Sequence, residues 1–115
     1  MAKKEEKRKA DIAELLLVAS LLILTTILII LFWTDNLLLT AIGLVVTILA
    51  YKYLYMPGDL KLFFTGAVIG PIGEIVLISY GVWAYANPSF LGIPLWMPFV
   101  WGNAVVAMKW FADAL

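Results

Sequence analysis

The chain contains no cysteine and no histidine. Those two absences remove disulfides, thiol catalysis, c-type haem attachment and the usual zinc sites. They also remove imidazole as a general base and as a ligand for copper or haem. Charge is scarce too: Asp, Glu, Lys and Arg make up 14% of the 115 residues, against roughly 25% in an ordinary soluble domain. No cofactor and no metal is implied by what remains. With a formal net charge of zero there is no electrostatic footprint for a nucleic acid.

What the chain has in excess is apolar surface. Hydrophobic residues make up 64% of it, against roughly 45–50% in soluble domains. One folding unit of this size cannot hide so much from water, so its solvent must be lipid. The expected fold is all-α: an integral membrane bundle of four transmembrane helices. A basic segment (1–11) precedes a transmembrane domain (12–115), with helices at about 12–33, 37–55, 62–85 and 95–112. The apolar run behind the basic start is too long for a signal-peptide core, and it reads as a retained anchor.

Punctuation between the runs is clear. Asp11 and Glu14 sit where negative charge suits the start of a helix. Trp33 marks an interface, and Thr34-Asp35-Asn36 is a polar turn with N-cap chemistry. Tyr51, Lys52, Tyr53 and Tyr55 form an aromatic and basic interface cluster. Met56-Pro57-Gly58-Asp59 is a breaker with Asp59 as N-cap. Asn87-Pro88-Ser89 opens a longer connection through Gly92 and Pro94.

Four spans place both termini on one side. Lys3, Lys4, Lys7, Arg8, Lys9, Lys52, Lys61 and Lys109 all fall on that side, and the two opposite loops hold no basic residue. The positive-inside rule therefore makes both termini cytoplasmic and the protein a multi-pass component of the cell membrane.

The third helix carries the candidate site. At 100° per residue, Gly66, Gly70, Gly73, Glu74, Leu77 and Gly81 share an arc of about 100°, with Tyr80 beside it. Small residues spaced by four let a neighbouring backbone come close. Pro71 removes one helical hydrogen bond and favours a kink. A carboxylate near the bilayer midplane is expensive and is suspect as functional. With the helix at 62–85, Glu74 lies at its midpoint and Asn103 lies at that of the fourth. A shared network of Glu74, Asn103 and threonine hydroxyls is the simplest way to satisfy them all. Trp83, Tyr85, Phe90, Trp96, Phe99 and Trp101 read either as an interfacial belt or as a lid above Glu74.

The pattern Gly70-Pro71-x-x-Glu74, Gly81-x-Trp83-x-Tyr85-x-Asn87-Pro88, Gly92-Ile93-Pro94-x-Trp96-x-Pro98-x-x-Trp101-Gly102-Asn103 resembles a family of small prokaryotic integral membrane proteins without assigned function. More remotely it is similar to carotenoid-biosynthesis membrane proteins of the bisanhydrobacterioruberin hydratase type. The resemblance covers about residues 66–103. It implies that Glu74 acts as an acid or base on an isoprenoid double bond.

Three functions fit these readings. The preferred one is a non-catalytic accessory or structural subunit of a larger membrane complex, packing through the glycine-rich third helix. Its partners are the bilayer and other membrane subunits or further copies of itself. The second is an isoprenoid- or lipid-binding enzyme with Glu74 as general acid and Asn103 orienting it. The third is a small proton-coupled carrier. Packing and binding candidates are Gly66, Gly70, Pro71, Gly73, Tyr80, Gly81, Trp83, Tyr85, Trp96 and Trp101.

Overall fold

A computed structural model describes residues 9–115, and among these there are four helices and no strand. They are α1 (Ile12–Phe32), α2 (Asn36–Tyr53), α3 (Asp59–Ser79) and α4 (Met97–Ala114). The basic stretch up to Arg8 lies outside the described residues. Ala10, although it belongs to the basic segment, is buried beside Met56, Phe63, Val106 and Trp110.

Local chemistry explains where the helices start. Asp11 caps α1 in a reciprocal box with Glu14: each side chain accepts the other's backbone N–H, at 2.8 and 3.0 Å. Asp35 caps α2 by accepting the Leu38 N–H at 3.0 Å. At α3 the expectation needs correcting, because Gly58 holds the cap position with φ of 92°. Asp59 is the first helical residue, and its side chain does something else.

The helix ends also differ from expectation. α3 runs through Pro71 without a break and stops at Ser79, six residues before Tyr85. Gly81, assigned above to the groove face, terminates the helix instead. It takes a left-handed φ of 77°, its N–H bonds the Ile78 carbonyl at 2.9 Å, and the Val82 N–H bonds the Leu77 carbonyl at 3.0 Å. That paired pattern closes a helix around a C-terminal glycine. The freed segment runs on to a tight turn at Leu91 and Gly92, both with positive φ, closed by Phe90 and Ile93. Ile93 is completely buried there.

α1, α2 and α3 are long and apolar enough to cross a membrane; α4 is not among the candidate spans. The expectation of four helices holds, and three of them are apolar enough for the transmembrane role expected of all four. Position gives the reason. α4 packs against each of the other three, and most closely against α3. Its Asn103 and Lys109 side chains therefore meet protein partners. α1 is the opposite case, with no fully buried residue and a coat of exposed Leu and Ile. A helix apolar all round belongs in lipid.

Candidate functional site

The α3–α4 contact is built on missing side chains. A Cβ on Gly66 would stand 2.7 Å from Val105 and 2.8 Å from the Trp101 carbonyl. One on Gly70 would overlap the Trp101 indole, and one on Gly102 would overlap the Phe63 ring. The two helices thus exchange bulk for space in both directions, and Trp101 is seated flat against Gly70. Close approach of this kind is how helices associate where lipid removes the hydrophobic drive.

That seating aims the Trp101 indole N–H at Glu74, one turn along from Gly70. The indole donates to Oε2, while the Tyr85 hydroxyl donates to Oε1. Glu74 is 7% exposed and both of its oxygens are engaged within the chain. Early termination of α3 makes the second bond feasible, because only a chain that turns back after Ser79 returns Tyr85 to the level of Glu74. Burial pushes the Tyr85 hydroxyl well above the ordinary tyrosine range; the bond to Glu74 and the carboxylate's charge raise it further. Met97 Sδ lies 3.9 Å from the same hydroxyl.

Asn103 is not part of this group. Its amide donates to Thr47 Oγ1 at 2.9 Å and to the Phe99 carbonyl at 3.0 Å, and its oxygen accepts from Tyr55 at 2.5 Å. The shared network expected from depth is therefore two networks. Trp101 and Asn103 are two positions apart, about 200° around α4, so one faces α3 and the other α2. Depth alone cannot bring residues together when they lie on opposite sides of a helix. The threonines of α1 bond only their own helix: Thr25 and Thr26 donate to Leu21 and Leu22 carbonyls.

The remaining candidates are scattered. Pro71 is buried; Tyr80 is 82% exposed. Trp83 walls an open groove beside Glu74. Trp96 is buried, and its indole N–H donates to Asn36 Oδ1 at 3.0 Å. Asn36 also donates to the Asn87 carbonyl and to Ser89 Oγ, both at 2.8 Å, and Asn87 donates to the Trp33 carbonyl at 3.0 Å. The later part of the long loop is thereby tied to the α1–α2 turn, while its earlier part brings Tyr85 and Trp83 to Glu74.

Sequence reasoning missed a second buried carboxylate. Asp59 has no exposed surface. It accepts from Lys109 Nζ at 2.7 Å, from the Trp110 indole at 2.8 Å and from the Met56 N–H at 2.9 Å. The available signal was an acid at the start of α3 and a lysine near the end of α4, which an antiparallel pair brings to the same level.

Two cavities accompany these groups. One of about 90 Å³ lies between α1, α2 and α4, walled mainly by aliphatic side chains and the aromatic rings of Trp96, Phe99 and Trp110, with Tyr55 and Asn103. The other, about 410 Å³, is an open groove on the α3–α4 face. It is lined by Gly66, Gly70, Gly73, Leu77, Trp83 and Trp101 together with Glu74. Only the second has an ionisable acid in its wall, and its volume is within the range of ordinary ligand sites.

No family model matches the chain, and no curated protein or solved structure is similar to it.

Proposed function

We propose that the protein is a small polytopic membrane protein acting as a non-catalytic accessory or structural subunit of a larger membrane complex. The observation that carries this reading is the state of Glu74. Both of its oxygens are held by an indole and a phenol of the same chain, the pattern of a carboxylate used to fix a fold. The polar groups elsewhere in the bundle follow suit: among the described residues, no buried side-chain nitrogen or oxygen lacks a partner. An isoprenoid-processing enzyme with Asn103 orienting Glu74 has less support, since Asn103 bonds to α2 and Tyr55 instead.

In this reading all four helices span the bilayer and both termini are cytoplasmic. The Asp59–Lys109 pair joins α3 and α4 at one end of the bundle, and the Asn36–Trp96 bond joins α2 and α4 at the other. α4 therefore runs between the same two levels as the apolar helices around it. Lys52, Lys61 and Lys109 share the first end, and that bias orients it to the cytoplasm.

Gentle solubilisation from the native membrane, followed by sizing and identification of what accompanies the chain, tests the proposal. A membrane protein in fixed stoichiometry is expected, with the complex surviving Glu74→Gln. A lone monomer, or a turnover activity lost in Glu74→Gln while assembly persists, would overturn it.

A further inference from the structure

Two buried carboxylates on the same helix are treated differently. Asp59 has a cation, Lys109, at 2.7 Å. Glu74, about 22 Å further along α3 at 1.5 Å per residue, is bonded only to neutral donors, Tyr85 and Trp101. The described basic residues do not supply the missing charge. Lys109 is bonded to Asp59, Lys52 and Lys61 belong to the same distant end, and Lys9 is exposed next to Ala10, which packs beside Met56 and Trp110 at that end too. A carboxylate taken out of water without a cation is costly, and neutral hydrogen bonds offset only part of that.

The open groove lies against this charge. Glu74 is the one acidic or basic side chain among the described residues of its wall; Ile69, Leu77, Trp83, Trp101 and Val105 are aliphatic or aromatic, and the Thr65 hydroxyl is spent on the Lys61 carbonyl of its own helix at 2.8 Å. Gly73, immediately before Glu74, leaves its side-chain position empty, with nothing within 4 Å. The carboxylate has about four lone-pair directions, and Tyr85 and Trp101 occupy one on each oxygen. Aromatic faces beside a carboxylate also suit cations with little hydration. The lining rejects a strongly hydrated ion, and the carboxylate disfavours an anion.

We propose that the α3–α4 groove binds an apolar organic cation, such as a substituted ammonium or phosphonium, entering from the bilayer with Glu74 as its counter-ion and Trp83 and Trp101 as its walls. Binding of this kind asks no acid–base step of Glu74 and goes beyond the subunit reading without depending on it.

Tetraphenylphosphonium is a suitable probe because its charge does not change with pH. Titrated calorimetrically into the full chain in mild detergent, it is expected to bind saturably at one site per chain. Glu74→Gln should weaken binding at least tenfold, and uncharged triphenylphosphine oxide should not compete. Gly73→Leu fills the groove without removing the carboxylate, and should also abolish binding. Equal affinity in Glu74→Gln, or effective competition by the neutral analogue, would show apolar partitioning only and overturn the proposal. Should Glu74→Gln fail to fold, Gly73→Leu and the neutral competitor decide. Full binding to Gly73→Leu would overturn the assignment to this groove.

Discussion

Gly70 and Trp101 occupy one another's space: the indole lies where a side chain on residue 70 would begin, and from there its N–H reaches Glu74. A packing choice on α3 thus sets the geometry of the only carboxylate in the groove. Gly70→Ala should force Trp101 off that seat, costing about 1–3 kcal/mol as overpacking does. Gly73→Ala is the internal control, since its Cβ meets nothing within 4 Å. It should be neutral or stabilising by up to about 1 kcal/mol, from helix propensity alone. Unfolding midpoints in detergent, with tryptophan emission as the probe, compare the two directly.

Asp59 and Lys109 give a second prediction. Lys109→Met leaves a completely buried carboxylate with neutral donors only, and should cost about 3–5 kcal/mol, as breaking one side of a buried pair does. Adding Asp59→Asn to that variant removes the stranded charge and should recover part of the loss. A double-mutant cycle on thermal unfolding measures the coupling. Simple additivity would mean that the pair is too wet to matter.

Much of this arrangement could be read from residue order, and the failures have identifiable causes. Four helices, the acidic start of α1 at Asp11 and Glu14, the cap at Asp35, and the close approach at Gly66 and Gly70 all rest on local chemistry. Gly81 was misassigned because a glycine on a helix face and a glycine ending a helix look alike until the φ angle is known. That one residue moved the end of α3 from Tyr85 to Ser79 and allowed Tyr85 to fold back on Glu74. Pairing Glu74 with Asn103 assumed a helix running to Tyr85; with α3 at Asp59–Ser79, Glu74 lies toward the end of its helix while Asn103 is level with the Phe63–Gly66 turn, and azimuth separates them as well. Asp59 looked like a cap because its other reading needs Lys109, 50 positions away. Long-range partners depend on which faces of α4 meet which helix, and with little amphipathic contrast in α3 the pattern does not declare that.

The orientation is open to a direct labelling test, helped by the absence of cysteine in the chain. Ala84 and Ala112 are both exposed, one in the loop after α3 and the other near the end of α4. Ala84→Cys should react with a membrane-impermeant maleimide on intact cells. Ala112→Cys should react only after permeabilisation. The reverse pattern would invert the topology, and labelling of both from outside would remove α4 from the set of spanning helices.

Tyr55 and Tyr85 predict how stability responds to alkali. Burial raises both hydroxyls above the ordinary value of about 10, with the charge of Asp59 adding to Tyr55 and the bond and charge of Glu74 adding to Tyr85. In the unfolded chain both ionise near pH 10; in the folded chain they keep their protons beyond it. The folded state then binds more protons than the unfolded state, so stability must fall as pH rises. The contribution is fully present below about pH 10 and drains away above it. Unfolding midpoints should be flat with respect to these groups from neutral pH to about 10, then decline. Tyr85→Phe lowers the starting stability by about 1–3 kcal/mol, because Glu74 loses a buried donor. It should also shrink the alkaline slope, since a phenylalanine has no proton to release. Tyr55→Phe should act on the slope in the same sense while leaving the Tyr85–Glu74 bond in place. A slope unchanged in both variants would mean that neither hydroxyl is held in the folded chain as the geometry requires.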